Sequence, residues 1–420
     1  MDVALLPPLD KFLISAITTA VLCWMKGTRT PRPHSSVVIY FLAFSFVISP
    51  IFTTFNNSYE LRIGRASIQG LYLLDGLKLA LRNLFTLAPF FVGMRFLSSA
   101  KGRALLLKSV PIAALFYSLP MLFEVRFSPI LHSWVYGFFP HSFVQQYRNG
   151  GFRPVVFLGH GLEVALFTCM ALVAAIVATR AKWRLFSFPA GAVAAYLAVL
   201  LLLCKSLASM VYAVIVGPVV LLTRPRTWWR ISAVVLLVVA SYPILRGYDI
   251  IPVHKMVELA SHVSEDRASS FQTRVSNEDV LLAKGNEKRM FGWGTWGRNR
   301  VYDAGSGEDV SVTDGFWIIQ FGMFGWAGYL SLFGLFAASV LNGRSAIRGP
   351  VTEATVVLGG LCLLLAVNVA DLIPNSDILP LTYIMAGAVA GSRAPLRRVT
   401  RQQQAGSKQS AVKGLESELA

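Results

Sequence analysis

The sequence predicts an all-α fold, a polytopic transmembrane helical bundle of about 11 spans with one large extracytoplasmic loop. Three observations carry that expectation. The 420 residues are 55% hydrophobic and only 15% charged. Apolar runs of roughly 16–25 residues recur along the chain, which is the length a helix needs to cross a ~30 Å hydrocarbon layer. Short clusters of Lys and Arg separate these runs, and whole segments such as Ala190 to Cys204 carry no charge, unlike the amphipathic helices of a soluble protein.

Taken in order, the spans are expected over 12–25, 37–55, 77–97, 104–123, 154–179, 186–204, 207–223, 229–245, 315–341, 352–370 and 378–392. The opening stretch carries Asp2, Asp10 and Lys11 and lacks the basic head of a cleavable secretion signal, so the first span is read as retained. Cytoplasmic connections are enriched in Lys and Arg. Alternate connections hold Lys26/Arg29/Arg32, Arg95/Lys101/Arg103, Arg180/Lys182/Arg184, Arg224/Arg226/Arg230, Arg344/Arg348 and the tail from Arg393 to Lys413, about half of the chain's 39 basic residues. With eleven helices all of these fall on one side. The expected organisation is then eight helices over 1–245, a periplasmic loop over 246–314, three helices over 315–392 and a basic, disordered cytoplasmic tail over 393–420, with the N-terminus outside.

Composition also excludes some classes. The net charge of +17 is spread over loops around a bundle and not gathered on one soluble face, which argues against nucleic acid as a partner. Cys23, Cys169, Cys204 and Cys362 all lie in or at the ends of apolar spans, so neither a disulfide framework nor a zinc site is indicated. There is no phosphate-binding P-loop, no dinucleotide-binding glycine pattern and no His-Glu-x-x-His. No cofactor and no metal are expected.

The polar outside segments carry the candidate chemistry. Asp75, Lys78 and Arg82 share a helical stripe at the start of the third span, either as an ion pair with a snorkelling Arg or as an anion site. His141, Arg148, Arg153, His160 and Glu163 surround "RNGGFRP". There Pro154 is expected to open a helix that stacks Arg153 and His160 on one face, and the paired glycines leave backbone N–H groups free. This arrangement suits an anion, or alternatively a structural His160–Glu163 pair.

Residues 269–300 hold six basic side chains, Arg274, Lys284, Lys288, Arg289, Arg298 and Arg300. The part from Ser269 to Ala283 is weakly amphipathic, as for a helix lying on the membrane or lidding a cavity. In "MFGWGTWG", Trp293 and Trp296 among glycines suit either a membrane interface or the stacking of a sugar ring.

These loop features resemble the O-antigen ligase and Wzy-type polysaccharide polymerase superfamily. Its members are helical bundles with a large late periplasmic loop. In that loop an Arg precedes a Gly-x-Gly turn, a variable stretch follows, and a polar residue stands before a helix bearing Gly-x-x-Gly. Here those features are Arg274, Gly292 and Gly294 in "KRMFGWGTWG", the stretch "RNRVYDAGSGEDVSV", and Asp314 with Gly322 and Gly325 in "TDGFWIIQFGMFGWAGYL". The family's Ser-Arg turn corresponds to "LCKSLASM", where Lys205 precedes Ser206 and Leu207 replaces the Arg. Ligases of the family carry His at the place of Asp314, which together with Leu207 favours the polymerase branch.

The resemblance implies a glycosyltransferase of cell-envelope polysaccharide biosynthesis in the bacterial inner membrane. It joins a glycan on undecaprenyl diphosphate to a hydroxyl of another glycan, with inversion, on the periplasmic face. Arg274, Arg289, Arg153 and Arg148 are the expected diphosphate ligands, Asp314 the catalytic proton acceptor, and Trp293, Trp296 and His160 sugar contacts. A chain-length regulator is a candidate protein partner and membrane lipid the surroundings. An O-antigen ligase acting on a lipid acceptor and a transporter of lipid-linked oligosaccharide are the alternatives.

Overall fold

The computed structural model describes residues 36–392 apart from 149, 263 and 264, together with six isolated helical positions between 14 and 25. The expected span 12–25 lies largely outside the described residues, and the tail 393–420 entirely. The first half contains helices α1 (Val37–Phe55), α2 (Leu73–Thr86), α3 (Ala88–Phe96), α4 (Ala100–Phe127), α5 (Leu131–Tyr136), α6 (Gly161–Arg180), α7 (Ala190–Leu203) and α8 (Leu207–Leu222). The second half contains α9 (Pro225–Ala240), α10 (Tyr242–Gly247), α11 (Val253–Ser261), α12 (Glu265–Glu287), α13 (Phe316–Asn342), α14 (Arg344–Ile347), α15 (Glu353–Asp371) and α16 (Pro380–Ala390). Among the described residues the strands form three two-stranded hairpins in connections, including β1 (Leu61–Ile63) with β2 (Ala66–Ile68) and β3 (Tyr147–Arg148) with β4 (Gly151–Phe152).

Among the described residues six helical stretches are long and apolar enough to cross a membrane, and α7, α8 and α16 are shorter apolar helices. This is an all-α membrane protein. Burial sorts its helices: 83% of the apolar window is buried in both α6 and α15, against 39% in α1 and α4, so α6 and α15 form the centre and α1 and α4 the rim. Phe41, Phe44, Phe116, Leu119, Val214 and Leu222 stay exposed, as side chains facing lipid do. Several polar groups inside the bundle are paired, as hydrocarbon favours. Thr382 donates to Asn368 Oδ1 at 3.1 Å, and the Tyr329 hydroxyl to the Val239 carbonyl at 2.6 Å.

The connections gather at two ends. At one end Arg180 binds the Leu221 carbonyl at 2.9 Å, Trp183 donates to Glu353 at 3.0 Å, and Arg226 reaches Gly349 O at 3.1 Å, so the clusters 180–184, 224–230 and 344–348 share a face. At the other end Arg298, fully buried, donates to the carbonyls of Tyr59 (3.1 Å) and Gln69 (2.9 Å), and Phe316 N–H bonds Asn375 O at 2.9 Å. Residues 56–72, 128–160, 241–315 and 372–379 therefore form one layer above the bundle.

Helix α13 is broken at Gly325 (φ 61°, ψ −160°), and the segment after α12 is stitched into the break. Trp293 N–H bonds Gly322 O at 2.9 Å, Gly294 N–H bonds Met323 O at 2.8 Å, and Trp326 N–H bonds Arg289 O at 2.7 Å. These bonds satisfy backbone groups that the break would leave open. A Cβ at Gly292 would run into the Met323 carbonyl, and one at Gly325 into Met290 and the Arg289 carbonyl. The Gly-x-Gly and Gly-x-x-Gly pairs thus let two backbones touch.

Candidate functional site

The loop 128–160 is organised by one buried carboxylate. Glu124, at the end of α4, accepts N–H bonds from Leu131 (2.9 Å) on one oxygen and from Val155 (2.8 Å) and Val156 (2.7 Å) on the other. The Tyr117 hydroxyl takes Phe157 N–H at 2.9 Å. Val156 is held at φ 52°, a left-handed conformation that a right-handed helix cannot contain. This corrects the expected span 154–179. Residues 154–160 cross the top of the bundle in non-helical form, Pro154 does not open a helix, and α6 starts at Gly161. His160 caps it, its Nδ1 accepting Leu162 N–H at 3.0 Å.

That path places Arg153 at the mouth of the bundle. Its side chain lies across Gly161, where a Cβ would collide with its Cγ and Cδ, and its Nη2 donates to Lys205 O at 3.0 Å. Only 3% of Arg153 is exposed, and its Nε is buried without a partner, as is Gln146 Oε1. Burial, then the charge of Arg148, pushes its pKa down to about 10. Lys205 holds a left-handed backbone (φ 50°) at the turn between α7 and α8 and donates to Arg148 O at 2.9 Å. Lys205 thus clamps the β3–β4 hairpin.

From the other side α12 presents Arg274. Its Nε pairs with Asp314 Oδ2 at 3.5 Å, and its Nη1 makes a long 3.5 Å contact to Pro374 O, both side chains being about a third exposed. Asp314 does not cap α13, whose N-cap is Gly315. One turn along α12, Glu278 accepts the indole N–H of the fully buried Trp317 at 3.1 Å. Beyond it Asp279 pairs with the buried Arg246 of α10, which also pairs with Asp249 at 3.3 Å and so fixes α12 to the bundle. Burial pushes the Glu278 carboxyl up to about 7, opposed by the Trp317 hydrogen bond and by Arg246.

His160 shows that these two sides meet. Burial and the neighbouring His141, Arg153, Arg148 and Arg274 together push its pKa down to about 4. The ring of His141 stands edge-on at 4.7 Å. His160 is therefore neutral near pH 7. With Nδ1 accepting the Leu162 amide, the ring proton sits on Nε2, 3.5 Å from Gln145 Oε1. The charges of Arg148 and Arg153, from the β3–β4 connection, and of Arg274, from α12, all act on His160, with Asp314 paired to Arg274 and the buried Glu163 in the first turn of α6. Comparison with protein-family models, curated proteins and solved structures gives no match. The site is therefore interpreted from its own geometry.

The remaining sequence candidates lie elsewhere. Arg289 is exposed just beyond the C-terminus of α12, roughly 20 Å along the helix axis from Arg274 at 1.5 Å per residue, too far to share one diphosphate with it. Trp293 is 5% exposed, donates to Lys284 O at 2.7 Å and lies under Lys284 and Lys288, whose Nζ atoms stand 3.7 and 4.7 Å from its ring. Its ring is filled by these cations. Trp296 is 58% exposed and available to a ligand. Asp75 accepts Tyr72 N–H at 2.9 Å in a capping box of α2, so it is spent on the helix end.

Sequence reasoning missed Glu278 and Asp371. The spacing of Arg274 and Glu278, four residues apart on one helix, was a usable signal. Asp371 ends α15 buried, taking Asn375 Nδ2 at 2.9 Å and the Tyr212 hydroxyl, and a carboxylate at the end of an apolar span was also a signal.

Proposed function

We propose that this chain is an inverting glycosyltransferase that joins glycans at the outer face of a bacterial inner membrane, taking its donor from undecaprenyl diphosphate. One observation carries the reading: the charges of Arg148, Arg153 and Arg274 all act on His160 at the head of the bundle. An excess of forked cations at the membrane surface suits a lipid diphosphate, which is already activated and must be neutralised and oriented as it leaves. The resemblance of the late loop to polysaccharide polymerases supplies the glycan. No divalent cation is required where guanidinium groups can hold the developing charge.

The reading includes eleven spans, a periplasmic N-terminus and loop 246–314, and a cytoplasmic tail. The gathering of the Arg103, Arg180, Arg226 and Arg348 clusters at the opposite end supports that orientation. Polymerisation is favoured over ligation by Asp314 and Leu207. A chain-length regulator remains a proposed partner.

The test is to incubate the purified full chain with lipid-linked repeat units and resolve the products by length. A ladder is expected, weakened about 100-fold or more in Arg274→Ala. A ladder unchanged in that variant overturns the reading. Unmodified oligosaccharide moved across vesicles would instead identify a transporter, and single transfer to a lipid acceptor a ligase.

A further inference from the structure

We propose that Glu278, and not Asp314, takes the proton from the attacking hydroxyl, while Asp314 positions Arg274. This rests on the glycosyltransferase reading and names the base of that site. Three observations carry it. Asp314 is held by the Arg274 guanidinium at 3.5 Å, so its carboxylate is occupied in aiming the cation. Glu278 lies on the same α12, one turn from Arg274, and is half-buried, so a substrate can reach it. The indole of Trp317, itself fully buried and packed edge-on against Tyr242 at 4.8 Å, donates to one Glu278 oxygen and so fixes the carboxylate's direction.

The step balances. The hydroxyl O–H bond breaks and its proton passes to the Glu278 carboxylate as the oxygen bonds the anomeric carbon. The bond from that carbon to the phosphate oxygen breaks, and its electron pair leaves on the diphosphate, held by Arg274. Inversion needs the attacking and leaving oxygens on opposite faces of the sugar, so the step sets one face of the ring toward the Glu278 carboxylate and the other toward the Arg274 guanidinium. The charged groups facing Glu278 are Arg246 of α10, Asp279 of α12 and Asp314 ahead of α13, with Tyr242 and Trp317 as its aromatic neighbours. Burial places its titration near pH 7, where a base is most effective.

Two measurements on the full chain in nanodiscs test this. Infrared difference spectra between pH 5 and 9 are expected to show a protonated carboxyl band that fades with a midpoint near 7 and is absent in Glu278→Gln. A band unchanged in that variant overturns the proposal. In the transfer assay the wild-type rate should rise through that same pH range. Glu278→Gln should lower it about 100-fold and flatten the profile while donor binding and melting temperature hold, and Glu278→Asp should restore part of it. An active wild type with an equally active Glu278→Gln overturns this proposal alone. A wild type that forms no product overturns the glycosyltransferase reading and this proposal with it.

Discussion

Arg153 is held in place by the absence of a single atom. Because its Cγ and Cδ lie where a Cβ of Gly161 would be, Gly161→Ala must displace it or shift the start of α6. Overpacking of this kind costs about 1–3 kcal/mol, so a lowered melting temperature and a weakened glycan ladder are expected together. Arg274 and Arg289 give a sharper contrast, since both are basic residues of one loop but Arg274 lies within α12 and Arg289 beyond its C-terminus. Arg274→Gln should abolish transfer, whereas Arg289→Gln should leave product length and rate within about twofold, as for a surface change away from the site. His160 adds a pH dependence. Its folded pKa of about 4 lies below the ordinary 6.5, so at intermediate pH the unfolded chain binds a proton that the folded chain does not. Stability from this group is complete above 6.5 and is lost as pH falls toward 4. Thermal melts across that window should show a steeper acid loss for wild type than for His160→Gln.

At the scale of elements, the docking of residues 288–294 into the broken α13 joins the late loop to the bundle. Gly292→Ala places a side chain at φ 68° against the Met323 carbonyl, for a cost of about 2 kcal/mol or more. Hydrogen exchange should then rise over 288–297. Arg298 latches the same loop to the β1–β2 connection, so Arg298→Ala should expose 56–72 to protease while leaving the membrane helices protected. The helices themselves were legible in the sequence, because uninterrupted apolar length decides them. The start of α6 was not, because the chain before it, tied to Glu124 some thirty residues upstream, holds Val156 at a left-handed φ of 52°. The glycines around Trp293 suggested an open sugar platform, whereas long-range pairing to Gly322 and Met323 turned them into a backbone seam. Arg274 was legible as one of the six basic side chains of residues 269–300. Its pairing with Asp314, forty residues later, and the burial of Glu278 under Trp317 depend on tertiary packing.

For the whole molecule, the two ends of the bundle make a topological prediction. With single cysteines introduced at exposed positions, Gly150→Cys and Ser306→Cys should react with a membrane-impermeant thiol reagent applied from the periplasmic side, and Val351→Cys should not. The opposite pattern would place the cation cluster in the cytoplasm. The account as a whole rests on that cluster gripping a diphosphate at the membrane surface. Its most direct test is the affinity of the full chain in nanodiscs for undecaprenyl diphosphate compared with undecaprenyl monophosphate, for wild type and for the Arg148→Gln/Arg274→Gln double variant. The prediction is that wild type binds the diphosphate at least about tenfold more tightly, a difference of ~1.4 kcal/mol, and that the double variant loses this preference while remaining folded. Equal affinity for the two lipids in wild type, or an undiminished preference in the double variant, would contradict it.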